Sequence, residues 1–247
     1  MDEDSKRWAI WIDIEGFSLL WSSGDRAIHG LNALMGGIYA IGNKAYPNDV
    51  ERLFAHQFGD GFVIISDFHE DSLDRCASIA VTLMRHIVRS GCMARAAIAE
   101  GGFADVGGCR PEEIQRELSK NDRSDLVWLG SGLMTLVPVM GTALINTNKL
   151  DSSNPVKGLI LTISTKNASR LSSGFRRKYV PKCDALTVVD WVHSESHYID
   201  EITTRSGIGG VAPTMIEMAI WNYIRNMSSP AAWIEGTVTS NDVVGAR

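Results

Sequence analysis

Asp13 stands in "AIWIDIEGF", residues 9–17, a run otherwise built largely from isoleucine, alanine and tryptophan. A second aspartate, Asp60, stands in "HQFGDGF", residues 56–62, where a Gly-Asp-Gly between two apolar runs predicts a tight hairpin turn. Two carboxylates brought within a few ångströms repel and raise one another's pKa, and a divalent cation is the usual remedy. Oxygen ligands without cysteine or histidine nearby suit Mg2+ or Mn2+, which keep positions open for phosphate oxygens. Gly16 follows Asp13 directly and lets backbone N–H groups approach an anion, so the loop after Asp13 fits a triphosphate. Each aspartate also has a bland reading, Asp13 paired with a basic residue and Asp60 forming an Asx-type turn. Their combination, one at a strand end and one in a hairpin turn, favours the metal.

The elements that would place them follow from periodicity. Residues 8–14 form a short apolar run of the kind a strand buried on both faces shows. Ile28, Leu31, Met35, Ile38 and Ile41 recur at helical spacing between Asp25 and Lys44. "ERLFAHQF" and "FVIIS" flank the turn as two strands. Leu73, Ala77, Ala80, Leu83, Met84 and Ile87 make a second helical stripe, opened by Glu70 and Asp71 and closed by Arg89 and Gly91. "MARAAIAEGG" then supplies a fourth strand. The order β-α-β-β-α-β predicts an α+β fold, the split βαβ or ferredoxin-like arrangement, with helices on one face of an antiparallel sheet and the first and third strands side by side at its centre. Further on, "EEIQREL" and residues 212–226 read as helices, and "LILTIST" and "ALTVVDWV" as strands. Residues 150–184 read as irregular and partly mobile, and the last dozen as a loose tail. We expect a catalytic domain over residues 1–195 and a helical extension and tail over 196–247.

Composition narrows the function classes. The 247 residues are 45% hydrophobic with a net charge of −5, as expected for a soluble globular chain without general attraction to nucleic acid or anionic membrane. "RRK" at 176–178 is a tight basic cluster better read as a solvated loop. Four cysteines without a C-x-x-C pair indicate neither a zinc site nor a disulfide framework and suit a reducing cytosol. The charged N-terminus "MDEDSKR" does not resemble a signal peptide, so a cytoplasmic location is expected. Residues 127–145 carry no charge, but Gly130, Gly132, Pro138 and Gly141 interrupt them, which favours buried core or a subunit interface over a membrane span. The seven tryptophans read as core or interface anchors. His193 and His197 are four apart but follow a strand, and a zinc helix is not expected there.

"DIEGF" at 13–17, "GDGF" at 59–62 and "ARAAIAEGG" at 94–102 together resemble the class III nucleotidyl (adenylate/guanylate) cyclases over roughly residues 8–145, although Ala97 stands where that family's strand carries a glycine. The resemblance implies two divalent metals, Mn2+ or Mg2+, held by Asp13, Asp60 and the carbonyl of Ile14. One would acidify the ribose 3′-hydroxyl for attack on the α-phosphorus and the other would hold the pyrophosphate. Gly16 and Phe17 would begin the loop around the phosphates.

The departures are informative as well. Counted from Gly130, the family's Asn and Arg positions fall on Met134 and Pro138, and the purine-reading residue of the hairpin corresponds to His56. Either turnover has been lost and a nucleotide-binding regulatory domain remains, or another cation serves, with Arg95 best placed as the catalytic and phosphate-facing group. A bland role for Arg95 is an ion pair with Glu100 or a metal-site carboxylate. The pattern resembles the pyrimidine cyclases of bacterial Pycsar antiphage systems, and "ALTVVDWVHS" adds to it. That implies a cytosolic homodimer with sites at its interface, making cyclic UMP from UTP, or cyclic CMP from CTP, on phage infection, with a separate effector reading the product. His56, Tyr46, Asp125 and Arg95 are candidates to read the base. UTP is placed ahead of CTP.

Overall fold

A computed structural model describes residues 6–22, 24–105, 109–119, 125–129, 131–136, 139–180 and 183–244. The chain begins with β1 (Arg7–Ile14), as expected, but a short helix, α1 (Phe17–Ser22), stands where a loop beginning at Phe17 was expected. α2 (Arg26–Ala40), running on into a π-helical turn at Ile41–Ala45, then β2 (Leu53–Phe58) and β3 (Gly61–Ser66) follow as expected. α3 (Asp74–Ile87) leads to β4 (Ala94–Gly101). β1 pairs antiparallel with both β3 and β4, so the strand bearing Asp13 lies at the centre, as expected. The fold is α+β with a mainly antiparallel sheet.

After β4 come β5 (Ala104–Asp105), α4 (Glu112–Ser119), the hairpin β6 (Leu126–Leu129) and β7 (Gly132–Thr135), β8 (Val139–Met140) and α5 (Thr142–Ser152). The described residues among 127–145 are thus strands, their turns and the start of a helix, and among the described residues no helix is long and apolar enough to cross a membrane. The expected irregular stretch over 150–184 is corrected. It holds the end of α5, β9 (Leu161–Ser164), α6 (Thr165–Ala168) and β10 (Arg177–Tyr179). It is ordered because Leu159, Leu161, Ile163 and Phe175 are buried in the main core, an apolar set spread too widely to show as a local period. β9 runs parallel to β4 and antiparallel to β11 (Leu186–Val189). Among the described residues this gives one sheet of seven strands, in the order β10-β11-β9-β4-β1-β3-β2.

Strand alternation divides β1 between two layers. Trp8, Ile10, Ile12 and Ile14 face α2, α3 and the C-terminal helices, whereas Ala9 and Trp11 face α5 in a smaller cluster with Val63, Ile65, Phe58 and Ala143. Burial of each such isoleucine contributes roughly 1.5–3 kcal/mol. α3 is buried well beyond its apolar stripe, because α7 (His197–Ser206) packs against it as well. Two of the charged residues of α3 are met internally: Arg75 is bound by both carboxylate oxygens of Glu70 and lies against Trp8, Tyr46 and Phe68, and Asp74 accepts from the Ser172 amide.

α8 (Pro213–Met227) and α9 (Ala231–Ser240) complete the layer. The expected loose tail is corrected in part. α9 reaches Ser240, and Asn241 and Val243 are buried, with the Asn241 amide donating to the carbonyls of Leu159 and Thr237. His193 anchors α8 to the turn after β11, its Nδ1 3.0 Å from Asp190 and its Nε2 3.1 Å from Glu217. His197 lies instead against Tyr198, its ring tilted, with centroids 4.0 Å apart.

Candidate active site

Asp13 ends β1 on the face turned toward α5, and Asp60 occupies the two-residue turn joining β2 to β3. Gly59 takes a positive φ of 64° at the first position of that turn, the signature of a type II′ hairpin. The register sets Asp13 opposite Gly61 on one side and opposite Arg95 on the other. A side chain on Gly61 would come within 3.3 Å of Asp13 Oδ1, so the glycine after Asp60 leaves room for the neighbouring carboxylate. Sequence spacing alone placed the two aspartates forty-seven positions apart, as 60 minus 13; the antiparallel register brings them together.

The electrostatics match that of two carboxylates crowded at a strand end. The Asp13 carboxyl is pushed up to about 6, first by burial and then by the negative charge of Asp60, against the pull of Arg95. Arg95 Nη2 lies 3.5 Å from Asp13 and 3.2 Å from Asp151 at the end of α5. Burial also raises Glu15 and Asp151, and Arg95 lowers both in part. Sequence reading missed Asp151 and Glu15. Glu15 is two residues beyond Asp13 and was visible in "DIEGF"; Asp151 had no signal, because only the docking of α5 brings it to the sheet. The ion pair considered for Arg95 with Glu100 is not made. Glu100 pairs with Arg170 at 2.5 Å instead.

The other expected residues divide between the two layers. Ile14 pairs with Ala94, its side chain in the main core and its carbonyl between Asp13 and the turn at Glu15 and Gly16. Gly16 has a φ of 69°, and a Cβ there would meet the Tyr223 hydroxyl at 2.8 Å; that hydroxyl donates to the Glu15 carbonyl at 3.0 Å. α8 therefore braces the loop that was expected to cradle phosphates. Phe17 packs against the main core and stacks on Trp21. His56 is opposite Val63, on the α5 face, with its ring 6.3 Å from that of Phe103; its row of the sheet, shared with Trp11, lies two residues along β1 from Asp13.

Tyr46 is not brought to this face. It lies on the opposite side of the sheet beneath Arg75, where burial raises its hydroxyl pKa. Asp125 is exposed at the start of the β6–β7 hairpin, outside the seven-stranded sheet. Met134 lies on β7 of the same hairpin, while Gly130 and Pro138 fall outside the described residues.

No protein-family model matches the chain, and no curated protein sequence matches it. Solved structures are similar at low identity. A monomeric double mutant of the guanylyl cyclase domain of the RhoGC fusion protein from the aquatic fungus Blastocladiella emersonii is 14% identical, covering 76% of this chain and 95% of that one, with a TM-score of 0.49. The dimeric form of the same domain is 14% identical over 76% of this chain and 94% of that one, at 0.47. A bacterial light-regulated adenylyl cyclase is 10% identical over 83% of this chain and 57% of its own, at 0.45.

The donor set fits a divalent cation. Among the described residues no group of three or more His, Cys, Asp and Glu is arranged to enclose one. Two carboxylates that repel one another, only partly relieved by Arg95, with a glycine that keeps the space beside Asp13 open, suit instead a hard cation whose remaining ligands would come from phosphate and water.

Proposed function

We propose that the chain is a metal-dependent nucleotidyl cyclase that converts a pyrimidine nucleoside triphosphate, UTP ahead of CTP, to its 3′,5′-cyclic monophosphate and pyrophosphate. The observation that carries the reading is the carboxylate of Asp13, pushed up by burial and by Asp60 at the end of a central strand, with Arg95 directly across from it. Asp13, Asp60 and the Ile14 carbonyl would hold two Mn2+ or Mg2+ ions, which when bound supply an acidified 3′-hydroxyl and a counter-charge for the leaving pyrophosphate. Arg95 would face the charge that develops on the transferring phosphorus, where a positioned cation is worth several kcal/mol. His56, on the same face and against Phe103, would meet the base; a ring nitrogen can donate to O4 or accept from N4 according to its tautomer.

The motif resemblance supports the pyrimidine preference, a cytoplasmic homodimer with sites at its interface, and a product read by a separate effector in antiphage defence. A second reading, a domain that binds nucleotide without turnover, is favoured by one observation: Arg95 is engaged by two carboxylates.

Purified protein with Mn2+ and each of the four nucleoside triphosphates tests both. UTP or CTP should yield a cyclic monophosphate and pyrophosphate, and Asp13→Ala or Asp60→Ala should abolish the yield. Activity confined to ATP or GTP overturns the pyrimidine assignment, and tight nucleotide binding without turnover under any metal supports the second reading.

A further inference from the structure

Arg95 is placed to disable the metal site as readily as to serve it. Its guanidinium stands across the sheet from Asp13, and an ion pair to Asp13 alone would occupy the carboxylate that the cation needs. Nη2 is instead shared, 3.2 Å from Asp151 and 3.5 Å from Asp13, and the Asp151 side chain is 10% exposed. The helix carrying Asp151 is fixed to the strand carrying Arg95. A Cβ on Gly101 of β4 would lie 2.3 Å from the Ala143 nitrogen, the Ala143 amide donates to the Gly102 carbonyl at 3.1 Å, and Asn146 donates to the Glu100 carbonyl at 2.8 Å.

Resting on the metal-site reading above, we infer that Asp151 is a positioning residue. It takes a share of the Arg95 guanidinium, so that Asp13 carries less of the ion pair and stays available to the cation while the arginine keeps a fixed approach to phosphate. The other charged groups around it are consistent with this division: Glu15 shares the field of Arg95, and Lys157 also attracts Asp151. Nothing in the local sequence around Asp151 signals the role; the docking of α5 creates it.

The test is Mn2+ binding to the full chain without nucleotide, read from the electron paramagnetic resonance of free Mn2+, so that it does not depend on turnover. Asp151→Asn should weaken binding by about 10–100-fold, the usual cost of losing a group that orients a ligand set, and Asp151→Glu should restore most of it. In an Arg95→Gln background, Asp151→Asn should change little further, because the residue acts through the arginine. Equal losses in both backgrounds, or unchanged affinity in Asp151→Asn, overturn the inference. Should Asp151→Asn not fold, Asp151→Ser is read in the same way. Asp13→Asn separates the two levels: Mn2+ binding that it leaves unchanged overturns the metal-site reading itself.

Discussion

At the scale of single residues, Asp13 carries a stability cost that its chemistry explains. Its carboxyl is raised from 3.8 to about 6, so the folded chain holds the proton more tightly than the unfolded one. The associated stability is fully present below about pH 4 and is lost as pH rises through about 6. In metal-free protein, Asp13→Asn should therefore melt higher than wild type at pH 7–8, and the difference should shrink as pH falls toward 4.5. One pKa unit corresponds to about 1.4 kcal/mol, which after allowance for partial exposure of the site suggests a gain of about 1–2 kcal/mol. Each kcal/mol shifts the melting temperature by about 2–4 °C in a chain of this size. Thermal denaturation across pH checks this, and wild-type Mn2+ affinity should fall as pH drops through about 6, where protons compete for the carboxylate. An Asn variant no more stable at pH 8 than wild type would show that Asp13 is not crowded.

At the scale of elements, the site depends on how closely α5 approaches β4. Gly101 allows that approach, since a Cβ there would overlap the first turn of the helix. Gly101→Ala should push α5 outward at a cost of about 1–3 kcal/mol and carry Asp151 away from Arg95, lowering Mn2+ affinity as well as the unfolding midpoint in urea. Gly36 faces open space, and Gly36→Ala in the middle of α2 is the control: it should be neutral or slightly stabilising in the same measurements. The hairpin is the second determining element, because its two-residue turn holds Asp60 at the height of Asp13 and leaves Gly61 without a side chain between them.

At the scale of the whole molecule, the C-terminal helices belong to the same core as the sheet. Ile202, Ile216 and Ile220 are fully buried in it, and Tyr223 and Trp233 stack over the turn that follows Asp13. Each of these isoleucines contributes about 1.5–3 kcal/mol, which together is comparable to the whole stability of an ordinary domain. A fragment of residues 1–195 should therefore lack a cooperative thermal transition and near-UV circular dichroism, whereas residues 1–244 should retain both. A cooperative transition in the shorter fragment would show that the helices are an appendage.

The sequence by itself determined the order of elements as far as β4, the central place of the Asp13 strand and the pairing of Asp13 with Asp60. Each of these rests on short-range information: helical spacing, strand alternation and a glycine-bounded turn act within a few residues, and the antiparallel register then follows. It also put Arg95 on a strand facing the site and offered a metal-site carboxylate as one partner, but not its register opposite Asp13 or its second partner, Asp151. The tertiary structure decided what local patterns cannot carry. Whether a carboxylate such as Asp151 matters depends on where its helix docks. Whether Tyr46 reads a base or lies under Arg75 depends on which layer receives it. Order in residues 150–184 and in the chain end comes from apolar side chains that find one another across the core, at separations no sequence window spans.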